Sequence, residues 1–179
     1  MKYPLNIPNV SELEKKYVLD VLESGWLSAG GEHTKAFENT FAEYLKTKYA
    51  IAVQSGTAAL HLAALALEWS KGDIILTTPI TFLASVNCIY YVGATPDFVD
   101  IDPETYTIDT EKLEIKIKDY IAKGKKIKAI IGVDYAGHPC DWQKLREIAD
   151  IYNIQLVNDN CHAMGASYHN SKQYAVQKA

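Results

Sequence analysis

The stretch "IKAIIGVDYAGHPCDWQKLREIADIYNIQLVND", residues 127–159, decides the fold. It opens on an apolar run, "IKAIIGV", of strand length and closes on a second, "IQLV". Between them "DWQKLREIADIYN" reads as a helix. Two strands joined by a helix of this length are parallel, because a hairpin turn could not contain it.

Working upstream, the same alternation repeats. "TPDFVDID" is strand-like and "DTEKLEIKIKDYIAKG" helical, with Asp109 near its start. "DIILTT" reads as a strand and "TFLASVNCIYYVG" as a helix. "YAIAV", from Tyr49, reads as a further strand, and the Ala- and Leu-rich "GTAALHLAALALEW" as a helix by propensity. Five strand-like runs thus alternate with four helical ones. The expected fold is α/β, a mostly parallel sheet with helices on both faces. The near-continuous apolar character of the strands agrees with a sheet covered on both sides.

Residues 1–48 are expected to form an N-terminal helical arm outside the sheet, and residues 49–179 the sheet domain. In the arm, Ser11 and Glu14 make a capping box, and Leu13, Tyr17 and Val21 recur at helical spacing until Gly25. After the Gly-rich "GWLSAGGEH", Thr34 is the expected cap of a second helix carrying Phe37, Phe41 and Leu45 on one face.

The totals narrow the function. The chain has 179 residues, 48% of them hydrophobic, enough for a sizeable core. A formal charge of −4 argues against a nucleic-acid surface. The basic run "KGKKIK", 123–128, reads as a helix end entering a loop. No window reaches the roughly 18 apolar residues of a membrane span, and the start has no signal-peptide core. Three scattered cysteines, Cys88, Cys140 and Cys161, fit a reducing cytoplasm better than a disulfide framework. His138, Cys140, Cys161, His162 and His169 are spaced unlike zinc motifs, so no metal is expected. No G-x-S-x-G elbow is present.

In such sheets ligands bind beyond the carboxyl ends of the strands. There "VQSGTAAL", 53–60, offers a tight small-residue turn into a helix. Its unpaired amides and the positive end of the helix dipole suit a phosphate, although Ser or Thr at a helix start is also an ordinary cap. In "TTPITFLASVN", 77–87, Phe82 lies on the same edge of the sheet and could stack on a planar ring, or simply fill core. In "VNDNCHAMG", 157–165, Asp159 stops an apolar run and His162 follows. A carboxylate there could hold a heteroaromatic nitrogen in its protonated form, with the imidazole donating to the same ring. It could equally be a turn aspartate bonded to nearby amides.

The order of these pieces resembles the DegT/DnrJ/EryC1/StrS family of pyridoxal-phosphate-dependent nucleotide-sugar aminotransferases. "GWLSAGGEHTKAFENTFAEYL", "YAIAVQSGTAALHLAALAL", "GDIILTTPITFLASVNCIYYVGATPDFVDIDPETYTID" and "VNDNCHAMGASY" resemble its successive blocks over nearly the whole chain. The resemblance implies the large domain of the aspartate aminotransferase-like fold, with pyridoxal 5′-phosphate as cofactor. It implies phosphate binding by Gly56, Thr57 and Ala58, stacking by Phe82, pairing of the ring nitrogen with Asp159, and His162 beside the phenolic oxygen. Asp159 and His162 would be the catalytic side chains. Ser28 would approach the nucleotide sugar across a homodimer interface. "DYAGHPCDW", 134–142, is nearest to the family's pseudaminic-acid branch, which implies a UDP-linked 4-keto sugar, glutamate as amino donor, and a role in surface glycan synthesis.

The family's Schiff-base lysine is expected a few tens of residues after Asp159. Lys172, in "HNSKQY", and Lys178 do not stand in its context. The chain is therefore expected to be the N-terminal part of a transaminase, without the lysine and the C-terminal domain, and inactive alone. Two other readings stay open: a non-catalytic nucleotide-sugar-binding scaffold, and a dehydratase of the same family with His in place of the lysine.

Overall fold

The computed structural model describes residues 7–168. The chain divides into two compact units, Met1–Ala52 and Val53–Ala179.

The first unit holds two helices, α1 (Glu12–Ser24) and α2 (Glu32–Leu45). α1 starts on the expected capping box: the Ser11 hydroxyl accepts from the Leu13 amide, and Glu14 reaches back to the Ser11 amide. Gly25, at φ 70°, ends it in the left-handed conformation that glycine adopts without strain. α2 begins earlier than Thr34. Gly31 is its cap, in extended conformation, and its carbonyl accepts from Lys35. A side chain at Gly31 would strike the Trp26 indole at 2.7 Å, so the entry turn leaves room only for glycine. Phe37 and Phe41 stack along one face of α2, with ring centroids 5.6 Å apart.

The second unit is the sheet domain. Its elements are α3 (Gly56–Ala66), β1 (Ile74–Thr77), α4 (Ala84–Tyr91), β2 (Thr95–Phe98), α5 (Thr110–Ala122), β3 (Ile127–Val133), a 3₁₀ turn at Tyr135–Gly137, α6 (Trp142–Tyr152) and β4 (Gln155–Asp159). Within the sheet the strands pair in parallel, in the order β2-β1-β3-β4, and an isolated antiparallel bridge joins Ile101 and Ile108. Side chains alternate across the sheet. On one face Leu76 and Ile130 meet Leu113 and Ile117 of α5 and Trp142, Leu145 and Ile148 of α6. On the other, Ile75, Ala129 and Ile131 meet Leu60 and Ala64 of α3 and Cys88 and Ile89 of α4. The expected doubly covered parallel sheet is thus observed, with four strands among the described residues rather than five.

The missing strand is "YAIAV". Residues 49–53 are not extended into any ladder, and Ile51 is 80% exposed. Alternating apolarity predisposes a segment to pair but does not supply a partner, and none pairs with it among the described residues. β4 likewise ends the sheet among the described residues, where it pairs with β3.

Caps fix the helices that position the loops. Asp109 accepts from the amides of Glu111 and Lys112 at the start of α5, and Asp141 from Lys144 at the start of α6. α5 ends before the "KGKK" run, as its composition predicts. The chain runs from β1 out to β2 and then back past β1 to β3. The strand order therefore reverses between β1 and β3, where open α/β sheets carry their ligand crevice.

Candidate functional site

Residues from three strand ends meet at that crevice. A cavity of about 230 Å³ is lined by Gly56 and Thr57 of α3, Thr81 and Phe82 after β1, Val133 at the end of β3, and Asp159, Cys161 and His162 at the end of β4. Leu60 and Ala84 form its floor.

The helix start comes first. Ser55 caps α3 by accepting from the Ala58 amide at 3.2 Å. Ala58 is thus already engaged, while the Gly56 and Thr57 amides have no partner among the described residues. They point out of the N-terminus of an 11-residue helix, where the dipole favours an anion. Gly56 is needed for packing: a Cβ there would lie 3.0 Å from the Cys161 sulfur.

Phe82 precedes α4 by two residues instead of lying in its first turn. Its ring is 70% exposed on the cavity wall, so it is not a core residue. An exposed aromatic beside a helix N-terminus is a surface on which a flat ligand can lie.

Asp159 is 5% exposed. One carboxylate oxygen accepts from the Ser85 hydroxyl at 2.6 Å, and the other from the Cys161 amide at 3.3 Å. The turn contact expected of an ordinary aspartate is therefore present, yet the carboxylate also borders the cavity. It pushes the neighbouring Cys161 thiol up to about 11, after partial burial, which is the larger cause. The buried Cys88 thiol rises to about 11 for the same two reasons.

His162 lies across the opening. Its Nδ1 accepts from the Ala136 amide at 3.2 Å, and its ring meets Tyr135 edge-on at 6.0 Å. An Nδ1 that accepts carries no proton, so the ring proton sits on Nε2, free to donate. The turn that delivers this amide is tight. Ala136 adopts φ 53°, unusual for a residue with a side chain, and a Cβ at Gly137 would lie 3.3 Å from the His162 carbonyl.

Gly56, Thr57, Phe82, Asp159 and His162 are thus brought together around one cavity. Ala58 adjoins it. Ser28 belongs to the first unit and lines a cavity there of about 560 Å³ with Trp26, Gly31 and His33. Lys172, Lys178 and His169 lie outside the described residues. Ser85 and Thr81 were not singled out from the sequence, although "TFLAS" places two hydroxyls four residues apart, the spacing of one helical face.

The site therefore belongs to an α/β protein in which the N-terminus of a helix, an exposed aromatic ring and a buried carboxylate meet at the carboxyl edge of a parallel sheet. The chain belongs to the DegT/DnrJ/EryC1/StrS aminotransferase family, whose model matches residues 8–178. It is 43% identical over 169 residues to a GDP-perosamine synthase of Escherichia coli O157:H7, covering 94% of this chain and 45% of that protein. A GDP-perosamine synthase of Vibrio cholerae is 38% identical, with 94% and 44% covered. Among solved structures, the sugar aminotransferase Spr1654 of Streptococcus pneumoniae, in its PLP form, superimposes with a TM-score of 0.82 at 32% identity, over 94% of this chain and 45% of that one. A GDP-4-keto-6-deoxymannose-3-dehydratase superimposes with a TM-score of 0.85 at 32% identity, over 94% and 44%. The chain spans less than half the length of each of these relatives. No helix among the described residues is long and apolar enough to cross a membrane.

Proposed function

We propose that this chain forms the cofactor-binding part of a pyridoxal-phosphate-dependent aminotransferase that acts on a nucleotide-linked 4-keto sugar, with glutamate as amino donor, in surface glycan synthesis. The observation that carries the reading is the cavity itself. One space of about 230 Å³ presents free amides of a helix N-terminus, an exposed aromatic face and a nearly buried carboxylate. A phosphorylated, cationic heteroaromatic ring has the complement of all three.

The residues take the following parts. Gly56 and Thr57 hold the phosphate through their amides and the Thr57 hydroxyl. Ala58 contributes less, because Ser55 already holds its amide. Phe82 lies against the ring. Asp159 accepts the proton-bearing ring nitrogen and keeps that proton in place, since the adjacent negative charge favours the cation. His162 donates from Nε2 to the phenolic oxygen. When bound, the cofactor supplies an electron sink for carbanion formation, and a protonated ring deepens it. Ser28 is proposed to contact the nucleotide sugar, from a second copy of the chain in a homodimer. The covalent lysine is proposed to lie beyond these 179 residues.

The nucleotide is proposed to be GDP. The segment Asp134–Trp142 suggests instead UDP-4-amino-4,6-dideoxy-N-acetyl-β-L-altrosamine transaminase. Ala136 and His138 of that segment are exposed, but Asp134, Cys140 and Trp142 are buried, and the Cys140 backbone amide and the Trp142 indole both bond the Asp134 carboxylate. The buried three report on packing more than on substrate, and the relatives found are named for GDP-perosamine.

A dehydratase remains the second reading, favoured by the 0.85 superposition. The test is to incubate the full-length protein with pyridoxal phosphate, glutamate and either GDP-4-keto-6-deoxymannose or a UDP-linked 4-keto sugar. An amino sugar and 2-oxoglutarate from the GDP substrate are expected. A deoxygenated sugar without nitrogen would instead establish the dehydratase. Nucleotide-sugar binding with no turnover and no cofactor uptake would leave the scaffold.

A further inference from the structure

We propose that Ser85 is a positioning residue, holding the Asp159 carboxylate aimed at the cavity through a one-way relay of hydroxyls that starts at Thr81. The proposal rests on the reading of the cavity as a pyridoxal phosphate site.

The geometry is short and buried. Ser85 is fully buried in the first turn of α4, and its Oγ lies 2.6 Å from Asp159 Oδ2, across 74 residues of sequence. Thr81 Oγ lies 2.7 Å from Ser85 Oγ. The direction of both bonds follows from proton count. An ionised carboxylate only accepts, and Ser85 has one hydroxyl proton, which must go to Asp159. Ser85 then accepts from Thr81. Thr81 itself lines the cavity, so the relay runs from its wall to the acid.

The Ser85 hydroxyl makes a shorter contact to Asp159 than the Cys161 amide, which stands off at 3.3 Å. It fixes the side-chain rotamer. Packing alone does not call for a hydroxyl here. The other buried residues of α4 are Ala84, Val86, Cys88 and Ile89, and Cys88 bonds the Ser85 carbonyl rather than the acid.

The test uses the full-length protein and pyridoxamine 5′-phosphate labelled with ¹⁵N in the ring, which binds without a covalent link. Dissociation constant and ring-nitrogen shift are followed against pH for the natural protein, Ser85→Ala, Ser85→Cys and Asp159→Asn. Ser85→Ala is expected to weaken binding about tenfold, the loss of one charge-assisted hydrogen bond. It should also lower the pH at which the ring nitrogen loses its proton. Ser85→Cys, a weaker donor, should fall between. A residue that only filled space would leave the nitrogen titration unmoved. If Ser85→Ala matches the natural protein while Asp159→Asn still releases the ring proton, the relay is overturned and the cofactor reading stands. If Asp159→Asn changes neither readout, the cofactor reading fails and the relay with it.

Discussion

Asp134 and Asp159 stand at the ends of neighbouring parallel strands, and the Asp134 amide donates to the Asp159 carbonyl at 3.1 Å. Backbone position makes them near equivalents, but their carboxylates have opposite fates. Asp134 turns inward, where one oxygen accepts from the Cys140 amide and the Trp142 indole, both at 2.9 Å, and the other from Asn160 at 3.1 Å. Asp159 turns to the cavity. One acid ties the loops together and its neighbour faces the ligand space.

That division has a pH signature. Burial raises the Asp134 carboxyl above its ordinary 3.8, against the pull of its hydrogen-bond donors. Between 3.8 and its raised value, the folded chain holds a proton there that the unfolded chain has lost. Folded stability from this group therefore falls as pH rises through that window and returns as pH drops. Asp134→Asn cannot titrate, and it sets an amide against donors, at a cost of about 1–3 kcal/mol near neutrality. Urea unfolding between pH 7 and 4 should show the gap between natural chain and variant widening toward acid. A constant or narrowing gap would contradict the assignment.

Gly132 sits near the carboxyl end of β3 for want of space. A Cβ there would lie 2.6 Å from the Trp142 ring and 3.3 Å from Leu145. Trp142 is 2% exposed and tethered to Asp134, so it has little freedom to yield. Gly132→Ala should destabilise by about 1–3 kcal/mol through overpacking. With Trp142→Phe in the same chain, chemical denaturation should show a loss smaller than the sum of the two single losses.

Cys161 tests the electrostatics of the cavity directly. It is the exposed cysteine of three, yet its thiol is pushed up to about 11 by partial burial and by Asp159. At pH 8 the thiolate fraction is about one in a thousand, so alkylation by iodoacetamide should be slow. Asp159→Asn should speed it several-fold. Equal rates in the two proteins would mean that the carboxylate is not acting on the sulfur.

The His162 tautomer is a fourth expectation. Long-range ¹H–¹⁵N spectra near pH 8 should show an unprotonated Nδ1 and a protonated Nε2. A protonated Nδ1 in the natural chain would break the proposed donation toward the cavity.

Much of this was legible in the sequence. The strand–helix alternation, the Ser11–Glu14 box and the Asp109 cap are local patterns, and local physics enforces them. The clustering of Gly56, Phe82 and Asp159 followed because a parallel sheet gathers strand ends on one edge. What escaped depends on partners distant in sequence. Nothing near Ser85 says that it faces residue 159. Nothing in "YAIAV" says whether a strand lies beside it. Asp134 and Asp159 carry the same signal, an acid ending an apolar run, and only the return of Trp142 onto the sheet separates them.

Among the described residues, β4 leaves one whole row of main-chain donors and acceptors along its outer side without a ladder. The strand "QLVND" carries neither proline nor lysine, the residues that commonly blunt such margins. A polypeptide of just these residues, made in quantity, therefore offers a template for strand addition. Its self-association should grow with concentration and be suppressed by a lysine introduced at Val157.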